Sequence, residues 1–263
     1  MSRRPLGQHF LINRNVVNRI IQALDLSPDS HVLEIGPGKG ALTGPLVHRV
    51  EKLLLVEKDP VLAEEVRNRL AGKGNVHVRE GDFLTTPWEE ISQELGAGFK
   101  IVSNLPYQAA TAILTKLLSL ASPSTTMVLM FQKEVADRLK ANPRTKDYGS
   151  LTVFTQILSQ VKPLLDVEPL AFRPPPKVWS SVLKFQLREE PLLPKSEHAM
   201  FELLLKTGFG HRRKMLRQNL RAYFSGETAD QIEQRLSQVD ASPLARAEEL
   251  TVQQWVNLYS GNQ

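Results

Sequence analysis

Three side chains stand at the ends of successive apolar runs and have the chemistry to hold a nucleoside. Glu57 closes Lys52-Leu-Leu-Leu-Val-Glu57, Asp82 sits in Gly81-Asp82-Phe83 after the run Val76 to Arg79, and Asn104 follows the run Lys100 to Ser103. A carboxylate accepts hydrogen bonds from ribose hydroxyls or from an aromatic amine, and a carboxamide offers an acceptor oxygen beside two N–H donors. Ahead of them lies Glu34-Ile-Gly-Pro-Gly-Lys-Gly40. Its glycines, Gly36, Gly38 and Gly40, let a backbone turn tightly and approach a ligand at a helix N-terminus. Alone, that spacing lacks the later glycine of the dinucleotide fingerprint and also fits a glycine-rich turn with no ligand. Glu57 follows Gly36 by 57 − 36 = 21 residues, close to the separation at which an acid receives ribose hydroxyls. Asp82 is placed to accept from an adenine amine. Taken singly, Glu57 fits a solvated strand end and Asp82 a turn cap. Together, at consecutive strand ends, they outline a nucleoside across the carboxyl edge of a sheet.

Asn104-Leu105-Pro106-Tyr107 suits a second ligand. The Asn104 amide oxygen and the Leu105 carbonyl can both accept from an exocyclic NH2, with Pro106 fixing the backbone so that the acceptors converge. Tyr107 offers a flat face for a base taken out of its helix. A lone match of this length would equally fit a proline-containing turn with a half-buried tyrosine; after a complete nucleoside pattern, the binding reading is favoured.

The elements that must position these groups alternate in type. Strands are expected at 31–35, 52–57, 76–79, 100–103 and 126–131, with helices at 41–50, 60–70 and 109–120. Strands alternating with crossover helices predict an α/β fold, a Rossmann-like doubly wound and mostly parallel sheet. Residues 161–167 and 180–187 read as its last strands, in antiparallel arrangement at one edge. Glu189-Glu-Pro-Leu-Leu-Pro194 breaks both periodicities and reads as a linker, after which only helical patterns remain. The expected division is a ligand-binding catalytic domain over 1–188 and a small all-helical domain over 189–263.

Composition narrows the chemistry. The 263 residues include no cysteine, which removes disulfides, thiolate metal sites and cysteine nucleophiles, and the six histidines show no paired metal-ligand spacing, so no metal is expected. The basic start, Met1-Ser-Arg-Arg-Pro, leads into no signal-peptide core. No apolar run reaches membrane-spanning length, and a cytoplasmic protein without a membrane partner is expected. A net charge of +5 permits a polyanionic partner.

Gly7-Gln-His-Phe-Leu11, Glu34-Ile-Gly-Pro-Gly38, Asn104-Leu-Pro-Tyr107 and Phe172-Arg-Pro-Pro-Pro-Lys-Val178 occur in one order, with Gln132-Lys-Glu-Val-Ala-Asp-Arg-Leu139 and Tyr148-Gly-Ser-Leu151 between them. This resembles the ribosomal RNA adenine dimethyltransferase family, of the bacterial type acting on small-subunit RNA, over essentially the whole chain. The resemblance implies an S-adenosylmethionine-dependent enzyme with a methyltransferase sheet. It would dimethylate N6 of two adjacent adenines near the 3′ end of 16S rRNA, within a pre-ribosomal 30S particle, and release S-adenosylhomocysteine. No metal is implied, and a monomer is expected.

Carried over by position, His9 and Leu11 would lie beside the cofactor's methionine end, Gly36 and Gly38 in the glycine loop, Glu57 on the ribose, and Asp82 with Phe83 at the adenine. Asn104 would sit at the reacting centre and Phe172 would supply a second stacking ring, although a core ring is common for phenylalanine. The family more often has asparagine at the position of His9, and both residues hydrogen-bond. In Gly210-His-Arg-Arg-Lys-Met-Leu-Arg-Gln-Asn-Leu-Arg221, Arg213, Arg217 and Arg221 are spaced by four and Leu216 and Leu220 repeat likewise. A helix with an arginine stripe and an apolar seam is expected. Its Arg212, Arg213, Lys214, Arg217 and Arg221 would meet RNA phosphates, with Arg144 and Lys146 extending the footprint. An isolated helix of this kind would more simply present a solvated face. Three other readings compete. The 23S rRNA methyltransferases of macrolide resistance typically have isoleucine at the position of Leu105 and are expected to differ in the C-terminal domain. DNA adenine methyltransferases usually show Asp/Asn-Pro-Pro. A non-catalytic ribosome-assembly factor would not need Glu57, Asp82 and Asn104.

Overall fold

Uninterrupted apolar runs form the middle of the sheet because both of its faces are covered. The computed structural model describes residues 9–123 and 125–261; Gly7 and Gln8 of the first motif and the basic Arg3 and Arg4 lie outside the described residues. The elements run β1 (Phe10–Leu11), α1 (Arg14–Ala23), β2 (His31–Ile35), α2 (Thr43–Leu46), β3 (Lys52–Glu57), α3 (Pro60–Arg69), β4 (Val76–Glu80), α4 (Trp88–Leu95), β5 (Lys100–Asn104), α5 (Ala110–Leu120), β6 (Thr126–Gln132), α6 (Lys133–Leu139), α7 (Ser150–Leu158), β7 (Ser159–Val167), β8 (Phe172–Arg173), β9 (Ser180–Leu187), α8 (His198–Gly208), α9 (Leu216–Leu220), α10 (Ala229–Gln238) and α11 (Val252–Ser260). Among the described residues no helix is long and apolar enough to cross a membrane.

The chain divides into two units, each with its own core. The first runs to Ala136 and resumes over Val161–Leu187; the second holds Asp137–Gln160 and the chain from Arg188 onward. One boundary between these units lies between Leu187 and Arg188. The expected contiguous first domain differs, however, because Asp137–Gln160 groups with the C-terminal helices.

In the first unit the strand order is β4-β3-β2-β5-β6-β9-β7. β2 through β6 pair in parallel, and β9 lies antiparallel to β6, with Met127 opposite Phe185 and Met130 opposite Val182. Leu53, Leu54, Leu55, Ile101, Val102 and Met127 to Phe131 are buried, as a sheet covered on both faces requires. Chain order reverses between β2 and β5, the switch point at which open α/β sheets leave a crevice beyond the strands' carboxyl ends. The helix expected over 41–50 is confined to Thr43–Leu46. Pro45 has no N–H to give the ladder, and Arg49 N closes a tighter turn onto the Leu46 carbonyl. A two-stranded pair not anticipated from sequence joins β1 to β8, Leu11 opposite Phe172 and Phe10 opposite Arg173.

In the second unit α8 through α11 bury Phe201, Leu204, Leu216, Leu220, Ile232, Leu236 and Trp255. Thr228 and Thr251 cap α10 and α11, each with a glutamine three residues on that returns the bond. Gly208 is required at the end of α8: a Cβ there would come within 2.5 Å of the Trp255 ring.

Candidate active site

A cleft of about 390 Å³ opens in the first unit at the carboxyl ends of β2, β3 and β5 and beyond β4. It is lined by His9, Leu11, Gly36, Gly38, Glu57, Asp82, Phe83, Asn104, Leu105, Pro106 and Tyr107, so residues from five separate segments meet in one place. Gly36 and Gly38 take φ of +65° and +56°, a backbone region that side chains disfavour. At Gly38 a Cβ would also stand 3.2 Å from the Phe10 ring.

Glu57 is buried, and main-chain donors hold its carboxylate: Gly38 N donates to Oε2 and Asp59 N to Oε1, each at 2.9 Å. The glycine turn and the acid 19 residues later are thereby locked together. Asp82 Oδ2 accepts from Lys58 Nζ at 2.7 Å and Oδ1 from Leu84 N at 2.9 Å. The Lys58 ammonium and the Leu84 N–H hold the Asp82 carboxyl below the usual carboxylate range, so it is an anion at neutral pH. The loop it begins is gripped by Lys116, which donates to the carbonyls of Phe83, Leu84 and Thr86.

Asn104 Nδ2 donates to the His9 carbonyl at 3.1 Å, which leaves Oδ1 as the amide's acceptor in the cleft. The His9 ring donates from Nδ1 to the Pro174 carbonyl at 2.8 Å and lies 5.7 Å from the Tyr107 ring, tilted by 33°. Leu105 is buried and its N–H donates to the Met130 carbonyl at 3.3 Å, while the Pro106 carbonyl accepts from Ala109 N at 2.9 Å. Tyr107 Oη pairs with Ser180 Oγ at 2.7 Å, and burial pushes its phenol upward, so it stays neutral. Phe172 is not brought to this cleft. Its ring is 2% exposed and packs in the core with Leu11, Val17 and Ala171, where the β1–β8 pairing places it.

Among the cleft residues that the sequence does not assign to the site are Phe10, Glu34, Lys58 and Gln132. Lys58 and Phe10 adjoin motif residues, and Gln132 opens a motif. Glu34 ends no run but stands next to last in its strand. It is buried, accepts from Thr43 Oγ1 at 2.8 Å, and is pushed up to about 8 by burial, with the Glu57 charge adding to the shift.

The basic residues lie in the second unit and depart from a continuous helix. Residues 209–215 form turns, and the helix covers only Leu216–Leu220. Asn219 Nδ2 donates to the carbonyls of Gly208 and His211, tying the turn down, and Leu216 N donates to the Ala245 carbonyl at 2.7 Å. The apolar seam is kept, since Leu216 and Leu220 are both buried, but the four-residue arginine stripe is not. Arg217 is paired to Glu233 and Arg212 to Glu248, whereas Arg213, Lys214 and Arg221 are exposed. Glu248 also accepts from Arg144 N through its carbonyl at 2.7 Å, bringing the exposed Arg144 and Lys146 loop to the 211–214 turn.

The chain matches the ribosomal RNA adenine dimethylase family over residues 1–261. It is 38% identical to the ribosomal RNA small subunit methyltransferase A of Geobacter metallireducens, covering 98% of this chain and 94% of that protein. It is 40% identical to the protein of the same name from Picosynechococcus, covering 97% and 95%. Among solved structures, a dimethyladenosine transferase from Plasmodium falciparum superposes with a TM-score of 0.79 at 26% identity, over 95% of this chain and 96% of the other. The 23S rRNA methyltransferase ErmE gives 0.72 at 30% identity, over 95% and 98%. That coverage includes the C-terminal helices, so the expected difference in this region does not separate the chain from enzymes of the 23S type. Matched along nearly its whole length, the chain belongs to the ribosomal RNA adenine dimethylase family.

Proposed function

We propose that the chain methylates the exocyclic N6 of adenines in ribosomal RNA, using S-adenosylmethionine. The observation that carries the reading is the Asn104 carboxamide, fixed by the His9 carbonyl with its oxygen left to accept, beside Tyr107 in a cleft that also holds Glu57 and Asp82. The cleft's size falls within the range of small-molecule sites, roughly 300–1,000 Å³. Its residues fit the cofactor: an ionised Asp82 for the adenine amine, an anchored Glu57 for the ribose, and a glycine turn that admits close backbone approach. When bound, S-adenosylmethionine supplies a methyl group made electrophilic by its sulfonium.

The chain's own residues address the nucleophile. An adenine amine has its lone pair delocalised into the ring. Asn104 Oδ1 and the Leu105 carbonyl accept its two N–H bonds, favour a more tetrahedral nitrogen, and stabilise the positive charge that develops there. Tyr107, neutral and tethered to Ser180, stacks on the flipped base and orients it. His9 buttresses Tyr107 and fixes Asn104 through its own carbonyl. Phe172 supports this arrangement from the core rather than by stacking.

Two adjacent adenines near the 3′ end of small-subunit RNA are the proposed target, within a pre-30S particle in the cytoplasm and with the enzyme acting as a monomer. Relatives at 38% and 40% identity named for the small subunit, against 30% for ErmE, support that choice over a 23S target. Arg144, Lys146, Arg213, Lys214 and Arg221 are proposed to meet phosphates. Asn104→Ala is expected to reduce methyl transfer at least about a hundredfold, the scale of losing one preorganised polar group, with RNA affinity unchanged. Normal methylation by this variant in a radiolabel-transfer assay would overturn the assignment.

A further inference from the structure

We infer that Lys116 is a positioning residue for the cofactor, its ammonium holding the loop Asp82–Thr86 in the shape that presents Asp82 to the adenine ring. The inference rests on the reading of Asp82 above. Lys116 Nζ donates to the carbonyls of Phe83 at 2.8 Å, Leu84 at 3.0 Å and Thr86 at 2.7 Å. An ammonium has three N–H donors, and all three are met by the main chain of one five-residue loop. The same nitrogen lies 5.0 Å from the Phe83 ring centroid, on a face that attracts cations.

The loop is curled so that it needs such a cation. Asp82 folds it from within, its carboxylate accepting from Leu84 N and its carbonyl from the N–H and hydroxyl groups of Thr85 and Thr86. The carbonyls of Phe83, Leu84 and Thr86 are thereby turned toward a single point, where their dipoles repel one another unless a positive charge lies between them. Lys116 supplies it from α5, the helix that follows the Asn104–Tyr107 turn. Ile113, one turn earlier on the same helix, lines the cleft. Asp82 and Phe83 are thus tied to the helix that leads out of the substrate motif. Lys58 differs, because it binds the Asp82 carboxylate itself and its side chain is 63% exposed.

Titration calorimetry on the full chain tests this, with S-adenosylhomocysteine and with 5′-methylthioadenosine, which keeps the adenosine but lacks the amino acid. K116M is expected to weaken both ligands about tenfold, the scale of losing hydrogen bonds to a charged group, and to leave RNA affinity unchanged. K116R keeps charge and donors and is expected to bind both within about threefold of wild type, whether or not K116M folds. Wild-type binding by K116M, loss of S-adenosylhomocysteine alone, or a tenfold loss in K116R would each overturn the inference. A wild-type chain that bound neither ligand would instead overturn the cofactor reading on which it rests.

Discussion

Asn104 gives Nδ2 to the His9 carbonyl, and Glu57 takes its two donors from the backbone, so the polar groups of the cleft are set before any ligand arrives. Such preorganisation lets dipoles act without reorganising during reaction. Glu34 is the residue for which this environment is least comfortable. Burial and the Glu57 charge raise its folded pKa to about 8, from an ordinary 4.5. Between those values the folded chain retains a proton that the unfolded chain has lost, so stability falls as pH rises through the window, with a limiting slope of about 1.4 kcal/mol per pH unit. Glu34→Gln removes that dependence while keeping an acceptor for Thr43. Thermal melts from pH 5 to 9 should show the variant gaining on wild type up to about pH 8, then running parallel to it; a pH-independent gap would contradict this account. Gly36, Gly38, Glu57, Asp82 and Asn104 were legible because each is marked by its place at a strand end or in a glycine turn, whereas His9 and Leu11 were placed through the family resemblance alone. Lys116 was not legible, because it recognises carbonyls, which carry no side-chain identity and leave no spacing in the sequence.

At the scale of elements, β2, β3, β5 and β6 could be read because their apolar runs are continuous and leave little room for another assignment. The β1–β8 pair could not be, since two residues at 10–11 acquire strand character only from partners at 172–173. That pairing is also why Phe172 is a core ring. The segment 209–221 was misread for a related reason: arginines four apart fit a helix, yet Asn219 and the Ala245 carbonyl draw the chain into a turn before a five-residue helix. The difference separates the basic residues by role. Arg213→Glu with Lys214→Glu should weaken RNA binding and flatten its log–log salt dependence by about 1 for each phosphate left without its cation, with cofactor binding intact. Arg217→Ala, which breaks the pair to Glu233, should lower the melting temperature and leave that slope nearly unchanged. RNA affinity measured across a salt series distinguishes them, and equal slopes for all variants would remove this surface from the footprint.

On the scale of the molecule, the cleft belongs wholly to the first unit and the exposed basic cluster to the second. The family match spans both, as do the superpositions on the Plasmodium and ErmE structures. The second unit takes Asp137–Gln160 from the middle of the chain, a discontinuity hidden from a linear reading that looked for a linker only at 189–194. Target choice is tested by incubating the full chain with labelled S-adenosylmethionine and undermodified small subunits, or with large-subunit RNA, then locating modified nucleosides by mass spectrometry. N6,N6-Dimethyladenosine is expected at two adjacent adenines near the 3′ end of the small-subunit RNA. Label confined to large-subunit RNA, or no transfer to either, would contradict that choice of target.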